Sequence, residues 1–266
     1  MPQGYRLSAA IGLDQGDRPQ QQDQVALFAH PRANGCVMSV VADGMGGRTG
    51  GRKASNQVVL TARQLFEYYL PGVDNAATLL CQMANQAHTV IRLTGVLAQQ
   101  EPHSTVAAFI INPGGECVWM HSGDSRIYHF RGNALIKRTL DHSYVQTLVD
   151  QGQLTEEEAA RHPQSNVLIS CLGSEREPQL DVHRIPRLRI GEALLACSDG
   201  LWHYFTAEEL GLVISTLPPR QASRVLVREA RARAMGGGDN LSLAIVRLEP
   251  LAPDQQMVGS AFTPVD

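Results

Sequence analysis

The order of the apolar runs is the tightest constraint on this chain. The runs are short, and several come in pairs around glycine-containing turns. Residues 104–112 and 116–121 flank Pro113-Gly114-Gly115, and residues 125–130 and 134–138 flank Arg131-Gly132-Asn133. Such pairs read as β-hairpins. Further strands are expected at 5–12, 24–29, 35–42, 192–197 and 241–248. Three longer stretches, 51–70, 75–97 and 219–235, carry apolar residues three and four apart, as amphipathic helices do. Gly236-Gly237-Gly238 is expected to stop the third. Shorter helices are expected at 144–152, 155–161 and 206–215, with Thr155 and Glu158 forming a capping box. A doubly wound parallel sheet needs strands that alternate with helices. Strands clustered in hairpins, with helices in blocks, favour an α+β sandwich of antiparallel sheets with helices outside.

Composition narrows the function. The longest apolar runs, 36–42 and 193–197, fall far below the roughly 18 residues that span a bilayer. The first six residues lack the apolar core of a signal peptide. A cytoplasmic protein with no membrane partner is expected. Of the 266 residues, 43% are hydrophobic and 18% charged, which suits a packed domain. Lys and Arg total 23 against 26 acidic residues, so no basic field marks a nucleic-acid partner. The five cysteines at 36, 81, 117, 171 and 197 form no Cys-x-x-Cys and no Cys-x5-Arg. They read as reduced, mostly buried thiols. The histidines show no metal-ligand spacing. Arg224, Arg228 and Arg231 share one side of the last helix and read as a solvated face. The glycine-rich segment 44–53 lacks the Lys-Ser/Thr of a phosphate loop and the third glycine of a dinucleotide fingerprint.

The chemical signal is positional. Asp43-Gly44, Asp124-Ser125 and Asp199-Gly200 each follow an apolar strand closely, and Asp239-Asn240 precedes one. One such aspartate is an ordinary turn residue. Four suggest a shared purpose. If neighbouring strands bring them together, their charges repel and a cation must neutralise them. Oxygen donors without Cys or His spacing favour Mg²⁺ or Mn²⁺ over zinc. Two such ions about 3.5–4 Å apart can activate a water and clamp a phosphate. Arg18, in a polar turn, offers a planar fork matched to phosphate oxygens, although alone it reads as a surface charge.

In their order these residues resemble the bacterial branch of the protein phosphatase 2C (PPM) family of metal-dependent Ser/Thr phosphatases. The resemblance is carried by Arg18-x-x-Gln21-Gln22-Asp23, Val41-Ala-Asp43-Gly44-Met45-Gly46-Gly47, Ser104-Thr105-Val-Ala-Ala, Gly123-Asp124-Ser125-Arg126-Ile-Tyr128, Leu140-Asp141-His142-Ser143, Cys197-Ser198-Asp199-Gly200-Leu201-Trp202 and Asp239-Asn240-Leu-Ser242. It implies one phosphatase domain over 5–249, a four-layer αββα sandwich of two central antiparallel sheets flanked by helices. A mobile flap would span about 143–173 and a loosely held tail 250–266. Asp43 would bridge two metal ions, with the Gly44 carbonyl on one. Asp199 and Asp239 would complete the other site, and Asp124, sharing Asp199, would hold a third ion. The cofactors are therefore two or three Mn²⁺ or Mg²⁺ ions. Arg18 would bind the substrate phosphate. Asp23 would orient the attacking water. Gln22 and Asn240 would stand behind the ligands, Asn240 positioning Asp239. The implied activity is hydrolysis of phosphoserine and phosphothreonine by a metal-activated water. The implied partners are phosphoproteins and an antagonised bacterial Ser/Thr kinase, with a kinase controlling type VI secretion among those permitted. A monomer is expected.

Several positions depart from the family pattern. Gln21 stands where Asn is usual, and Gln22 replaces a Glu of many eukaryotic members, removing a charge. Met45 replaces a histidine proposed as general acid, and a thioether cannot donate a proton. His203 occupies a place where Asp is frequent and reads as structural. Leu140-Asp141 lacks the family's two intervening residues. A catalytically silent phosphatase fold that binds phosphoproteins is the alternative, but that state usually follows loss of the metal ligands. Here Asp43, Asp199, Asp239 and Arg18 all stand.

Overall fold

A computed structural model describes residues 5–251. One sheet runs in the order β1 (Tyr5–Asp14), β12 (Leu241–Pro250), β11 (Glu192–Cys197), β8 (Arg126–Arg131), β9 (Ala134–Arg138). The other runs β10 (Asp181–Ile185), β7 (Cys117–Ser122), β6 (Val106–Ile111), β3 (Val37–Ala42), β2 (Gln24–Ala29). All their pairings are antiparallel. Both expected hairpins form, β6 with β7 and β8 with β9. A two-residue ribbon, β4 (Gly44–Met45) with β5 (His103–Ser104), lies just beyond the end of β3 and before the start of β6. The expected four-layer arrangement is present.

Alternation along the strands builds the layers. In β3, Val37 and Val41 face the other sheet, while Met38, Val40 and Ala42 face helices α1 (Gly47–Tyr68) and α2 (Ala76–Ala98). In β6, Ala107, Phe109 and Ile111 point between the sheets; Val106, Ala108 and Ile110 point to the helices. β11 divides likewise, with Leu194 and Ala196 inward and Ala193, Leu195 and Cys197 toward α5 (Asp199–Trp202), α6 (Ala207–Thr216) and α7 (Pro219–Ala234). A strand covered on both faces must be apolar throughout, which is why these strands read as continuous runs. Three cores result, one between the sheets and one under each helical layer.

The helices start where their caps allow. Asn75 accepts the N–H groups of Ala77 and Thr78 to open α2. The capping box at Thr155 and Glu158 opens α4 (Glu156–Ala160), and Thr206 with Glu209 does the same for α6. Segment 143–173 holds α3 (Tyr144–Asp150) and α4, and returns to the body through bridges from Ser143 to Leu168 and from Ser104 to Leu172.

Three elements escaped the sequence pattern, the two-residue β4 among them. The edge strand β10 has mostly solvent-facing residues, so it carries little apolar alternation. The four-residue α5 is too short to show a helical period. α1 starts four residues earlier than expected, directly from the glycine turn. α7 stops at Ala234, with Met235 taking the left-handed conformation at φ 49°, one residue before the glycines. Pro250, assigned to the tail on sequence grounds, closes β12 opposite Tyr5. The rest of that tail, from residue 252 on, lies outside the described residues.

Phe109 is fully buried between the sheets. Phe109→Ala should cost about 3–5 kcal/mol, read as a lower denaturant midpoint with unchanged m-value. A loss below about 1 kcal/mol would mean that the two sheets are not held by this layer.

Candidate active site

The site lies where strand ends from both sheets meet. Asp43 leaves β3 and is pinned by Thr105. Its N–H donates to Thr105 Oγ1 at 3.0 Å, and its carbonyl accepts the Thr105 N–H at 2.9 Å. Only glycine can follow. A Cβ at position 44 would lie 2.1 Å from the Gly51 carbonyl oxygen in α1. Asp124 sits in the turn from β7 to β8, behind Gly123 at φ 104°, and its carbonyl accepts Trp202 Nε1–H at 2.9 Å. Arg126 offsets Asp124 only weakly, behind the effects that raise it. It stacks 3.5 Å over Trp202 and forks onto Asp141 at 2.8 and 2.7 Å.

Asp199 opens α5 directly after β11. The preceding Ser198 donates to Asp23 Oδ2 at 2.6 Å and accepts the Ser242 N–H at 2.9 Å. Asp23 is fully buried, and its Oδ1 has no partner. Asp239 leads into β12, and the Asn240 N–H donates to its Oδ1 at 2.7 Å. The Asn240 side chain holds the loop that carries Arg18. Its Nδ2 donates to the carbonyls of Gln15 and Gln20, and its Oδ1 accepts the Gln22 N–H at 2.7 Å. Arg18 Nη2 donates to Asp239 Oδ2 at 2.5 Å.

Asp43, Asp124, Asp199, Asp239, Arg18 and Gln22 line one cleft of about 700 Å³. Gly44 and Asn240 also line it, while Asp23 is enclosed behind it. Every residue expected at the site is therefore in or beside one space. Asn166 and Leu168 from segment 143–173 form part of its wall, as does Met45. A wider depression of about 940 Å³ on α2 is lined by neutral residues such as Thr78, Gln82 and Asn85 and brings no charged groups together.

The electrostatics of the cleft are unfavourable without cations. Burial, and then the charges of Asp23, Asp199, Asp124 and Asp239, push the Asp43 carboxyl well above the usual carboxylate range. Burial and the charges of Asp199 and Asp141 do the same to Asp124. Asp199 is raised by burial, with His203 opposing and Asp239 adding to the rise. Burial brings Asp23 to about 7 against the pull of Ser198. Arg18 is the cation that lines this cleft among the described residues. One guanidinium does not balance these carboxylates. The donors are all oxygen, crowded, and backed by the orphaned Asp23 Oδ1. That set fits hard divalent cations.

Some details differ from the sequence reading. The Gln22 amide donates to the Gly47 carbonyl at 2.7 Å, toward the glycine turn. Gln21 replaces the usual Asn without losing the turn: its Nε2 donates to the Asp14 carbonyl and its Oε1 accepts the Asp23 N–H. His203 stacks on Trp202 and brings Nδ1 within 3.8 Å of Asp199 Oδ2, so it borders the site. Thr105 and Ser198 were visible only as motif letters; their work lies in hydrogen bonds that link distant strands. Arg231, read as solvated, forks onto Asp17 at 2.9 Å on the far side of the Arg18 loop. The five cysteines are unpaired. Burial pushes Cys36 to about 12 and Cys171 to about 11, so neither offers a thiolate near neutrality.

A second cluster, His121, His142 and Asp181, lies under the loop that enters segment 143–173. His121 Nε2 faces the Leu140 carbonyl at 2.7 Å, and His142 Nδ1 accepts the Gly123 N–H at 3.3 Å. The rings lie 4.6 Å apart and within 22° of parallel. His121 Nδ1 and His142 Nε2 are buried without a hydrogen-bond partner, and His142 Nε2 lies 3.4 Å from Asp181 Oδ2. The stack joins β7, the loop after β9 and β10.

This geometry has counterparts. Residues 17–229 match the family profile described as protein phosphatase 2C. Protein phosphatase PhpP of Streptococcus pneumoniae is 33% identical over 247 residues, covering 87% of this chain and 93% of that protein. The catalytic domain of the serine/threonine protein phosphatase PstP, solved in complex with two manganese ions, superposes with a TM-score of 0.77 at 28% identity, covering 92% of this chain and 99% of its own. PppA of Pseudomonas aeruginosa, described as a key regulatory component of the type VI secretion system, gives the same TM-score, identity and coverage. With the profile spanning most of its length and PhpP 33% identical over 247 residues, this chain belongs to the protein phosphatase 2C family.

Proposed function

We propose that this protein is a Mn²⁺- or Mg²⁺-dependent serine/threonine phosphatase that hydrolyses phosphoserine and phosphothreonine in proteins and opposes a bacterial Ser/Thr kinase in the cytoplasm. The observation that carries the reading is one cleft joining a crowded cluster of carboxylates with a guanidinium suited to phosphate. The manganese ions of the PstP complex support Mn²⁺ as cofactor. Likeness to PppA supports a kinase of type VI secretion as the candidate antagonist.

Asp43, Asp199 and Asp239, with the Gly44 carbonyl, are the residues to hold two ions, and Asp124 with Asp199 a third. Bound there, the cations would neutralise the cluster, acidify a water and polarise the phosphate. The chain supplies the rest. Arg18 rests on Asp239, so an entering phosphate competes for its fork, and the guanidinium then spreads the charge that develops on the phosphoryl oxygens. Asp23 is anchored through Oδ2 and leaves Oδ1 free to orient a water. Gln22 and Asn240 hold the loops. Met45 cannot protonate a leaving group, so water must, and aryl phosphates should suffer least.

Hydrolysis of a phosphothreonine peptide should require Mn²⁺ and stop with EDTA. Asp43→Asn and Asp239→Asn should each cut turnover by more than about a hundredfold with the fold retained by circular dichroism. A double variant that keeps substantial activity at saturating Mn²⁺ would refute the ligand assignment. No activity in folded wild type across metals and pH would favour the silent, phosphoprotein-binding reading. Arg18→Ala should act mainly on KM, raising it roughly tenfold; an unchanged kcat/KM removes the phosphate role. The raised carboxyls also predict a pH dependence. Metal-free, the folded chain binds more protons than the unfolded one, so stability falls as pH climbs from the ordinary carboxylate range toward about 7, where Asp23 titrates. Mn²⁺ must displace those protons. Its stabilising effect on Tm should be larger at pH 8 than at pH 5.5, and calorimetry in buffers of different ionisation enthalpy should show proton release. Equal effects at both pH values would count against ion binding at these carboxylates.

A further inference from the structure

Arg231 occupies the last turn of α7, where a helix dipole already favours a cation. Its contacts are more specific than that. Nη1 and Nη2 donate at 2.9 Å to the two carboxylate oxygens of Asp17, and Nε lies 3.3 Å from Asp14 Oδ1. Asp17 Oδ2 also accepts the Gly238 N–H at 2.8 Å, and the Asp17 N–H donates to the Gly238 carbonyl at 2.8 Å. Arg231 thus ties α7 to the loop that bears Arg18, and its partner Asp17 ties that loop to the one that bears Asp239. The packing leaves no slack. Gly16, at φ 65°, approaches so closely that a Cβ would lie 2.1 Å from the Asp239 carbonyl oxygen. The helix is itself a fixed reference: Ser223 Oγ donates to the Ile11 carbonyl at 2.9 Å and docks α7 on β1.

We infer that Arg231, acting through Asp17, is a positioning residue. It sets Arg18 and Asp239 relative to one another, and so governs phosphate affinity and one cation position without touching either ligand. The inference rests on the phosphatase reading, in which Arg18 meets phosphate and Asp239 a cation. Asn240 holds the same two loops from the other side, so loss of Arg231 loosens them without releasing them. Bidentate pairing, and not charge alone, makes the link, so lysine restores it only in part.

The test compares Arg231→Ala, Arg231→Lys and Asp17→Asn with wild type, and uses Arg228→Ala as control because Arg228 pairs only with the adjacent Glu229 on the surface. The readouts are KM and kcat on p-nitrophenyl phosphate, competitive inhibition by inorganic phosphate, calorimetric Mn²⁺ affinity, and Tm. Arg231→Ala and Asp17→Asn should each raise KM and the phosphate inhibition constant roughly five- to twentyfold and weaken Mn²⁺ by a similar factor. Arg231→Lys should fall between, the double variant should be no worse than the worse single one, and Arg228→Ala should match wild type. A lower Tm with unchanged KM, phosphate inhibition and Mn²⁺ affinity makes Arg231 merely structural and overturns the inference. If wild type binds Mn²⁺ but hydrolyses nothing, the phosphatase reading fails by itself. The Mn²⁺ affinities of the variants then decide the clamp, weakened values supporting it and unchanged values overturning it. If wild type binds no Mn²⁺, both fall. Should Arg231→Ala not fold, Arg231→Lys and Asp17→Asn carry the same comparison.

Discussion

Repulsion among buried carboxylates sets the terms for this structure. Burial and mutual repulsion raise the carboxyls of Asp43, Asp124 and Asp199, and burial pushes the enclosed Asp23 up to about 7. Such a cluster is tolerated only where neighbouring structure holds it by force and where cations can relieve it. The force comes from backbone hydrogen bonds. Thr105 grips both polar groups of the Asp43 main chain, Trp202 fixes the Asp124 carbonyl, and Ser198 links Asp23 to β12 through Ser242. None of these contacts is large. Together they leave the aspartates no room to turn away from one another.

Two sheets are needed for this. Asp43 and Asp124 arise at ends of β3 and β7 in one sheet, Asp199 and Asp239 at ends of β11 and β12 in the other. The distance between the pairs is fixed by the core that separates the sheets, with Phe109, Trp119, Ile127 and Leu194 among its members. Packing far from the cleft therefore determines how the carboxylates meet. The helices contribute differently. α1 approaches Gly44 so closely that only glycine fits, and α7 reaches round through Arg231 to the loops of Arg18 and Asp239.

Much of this was legible in the sequence because it depends on local pattern. Hairpins were marked by turn residues, doubly covered strands by unbroken apolar runs, and the site by aspartates that punctuate strand ends. The missing parts share a cause. β10 is an edge strand whose residues face water, so no alternation announces it. α5 is one turn long and owes its place to the strand before it. Arg231 looked like any arginine on a polar helix face, because its partner Asp17 is 214 residues away in the chain. Gln22 lines the cleft, but that the Gly47 carbonyl takes its amide could not be read from the sequence. Residue type and spacing reveal which groups can do chemistry. They do not reveal which distant backbone group claims a side chain first.

The pairing of β1 with β12 joins Tyr5 to Pro250 and runs without a break to Asp14 opposite Leu241. β1 is an edge strand whose one neighbour in its sheet is β12, so it stays unpaired until Leu241–Pro250 is in place. Contacts of such long sequence separation close late, and they make folding slow. β2, β3, β6 and β7 can assemble as their hairpins appear, but the loops of Arg18 and Asp239 can meet only when β12 arrives. Without β12 the chain would place Asp43, Asp124 and Asp199 but would not set Asp239 against Arg18. Completion of the cleft in this architecture is thus coupled to closure of the β1–β12 pair.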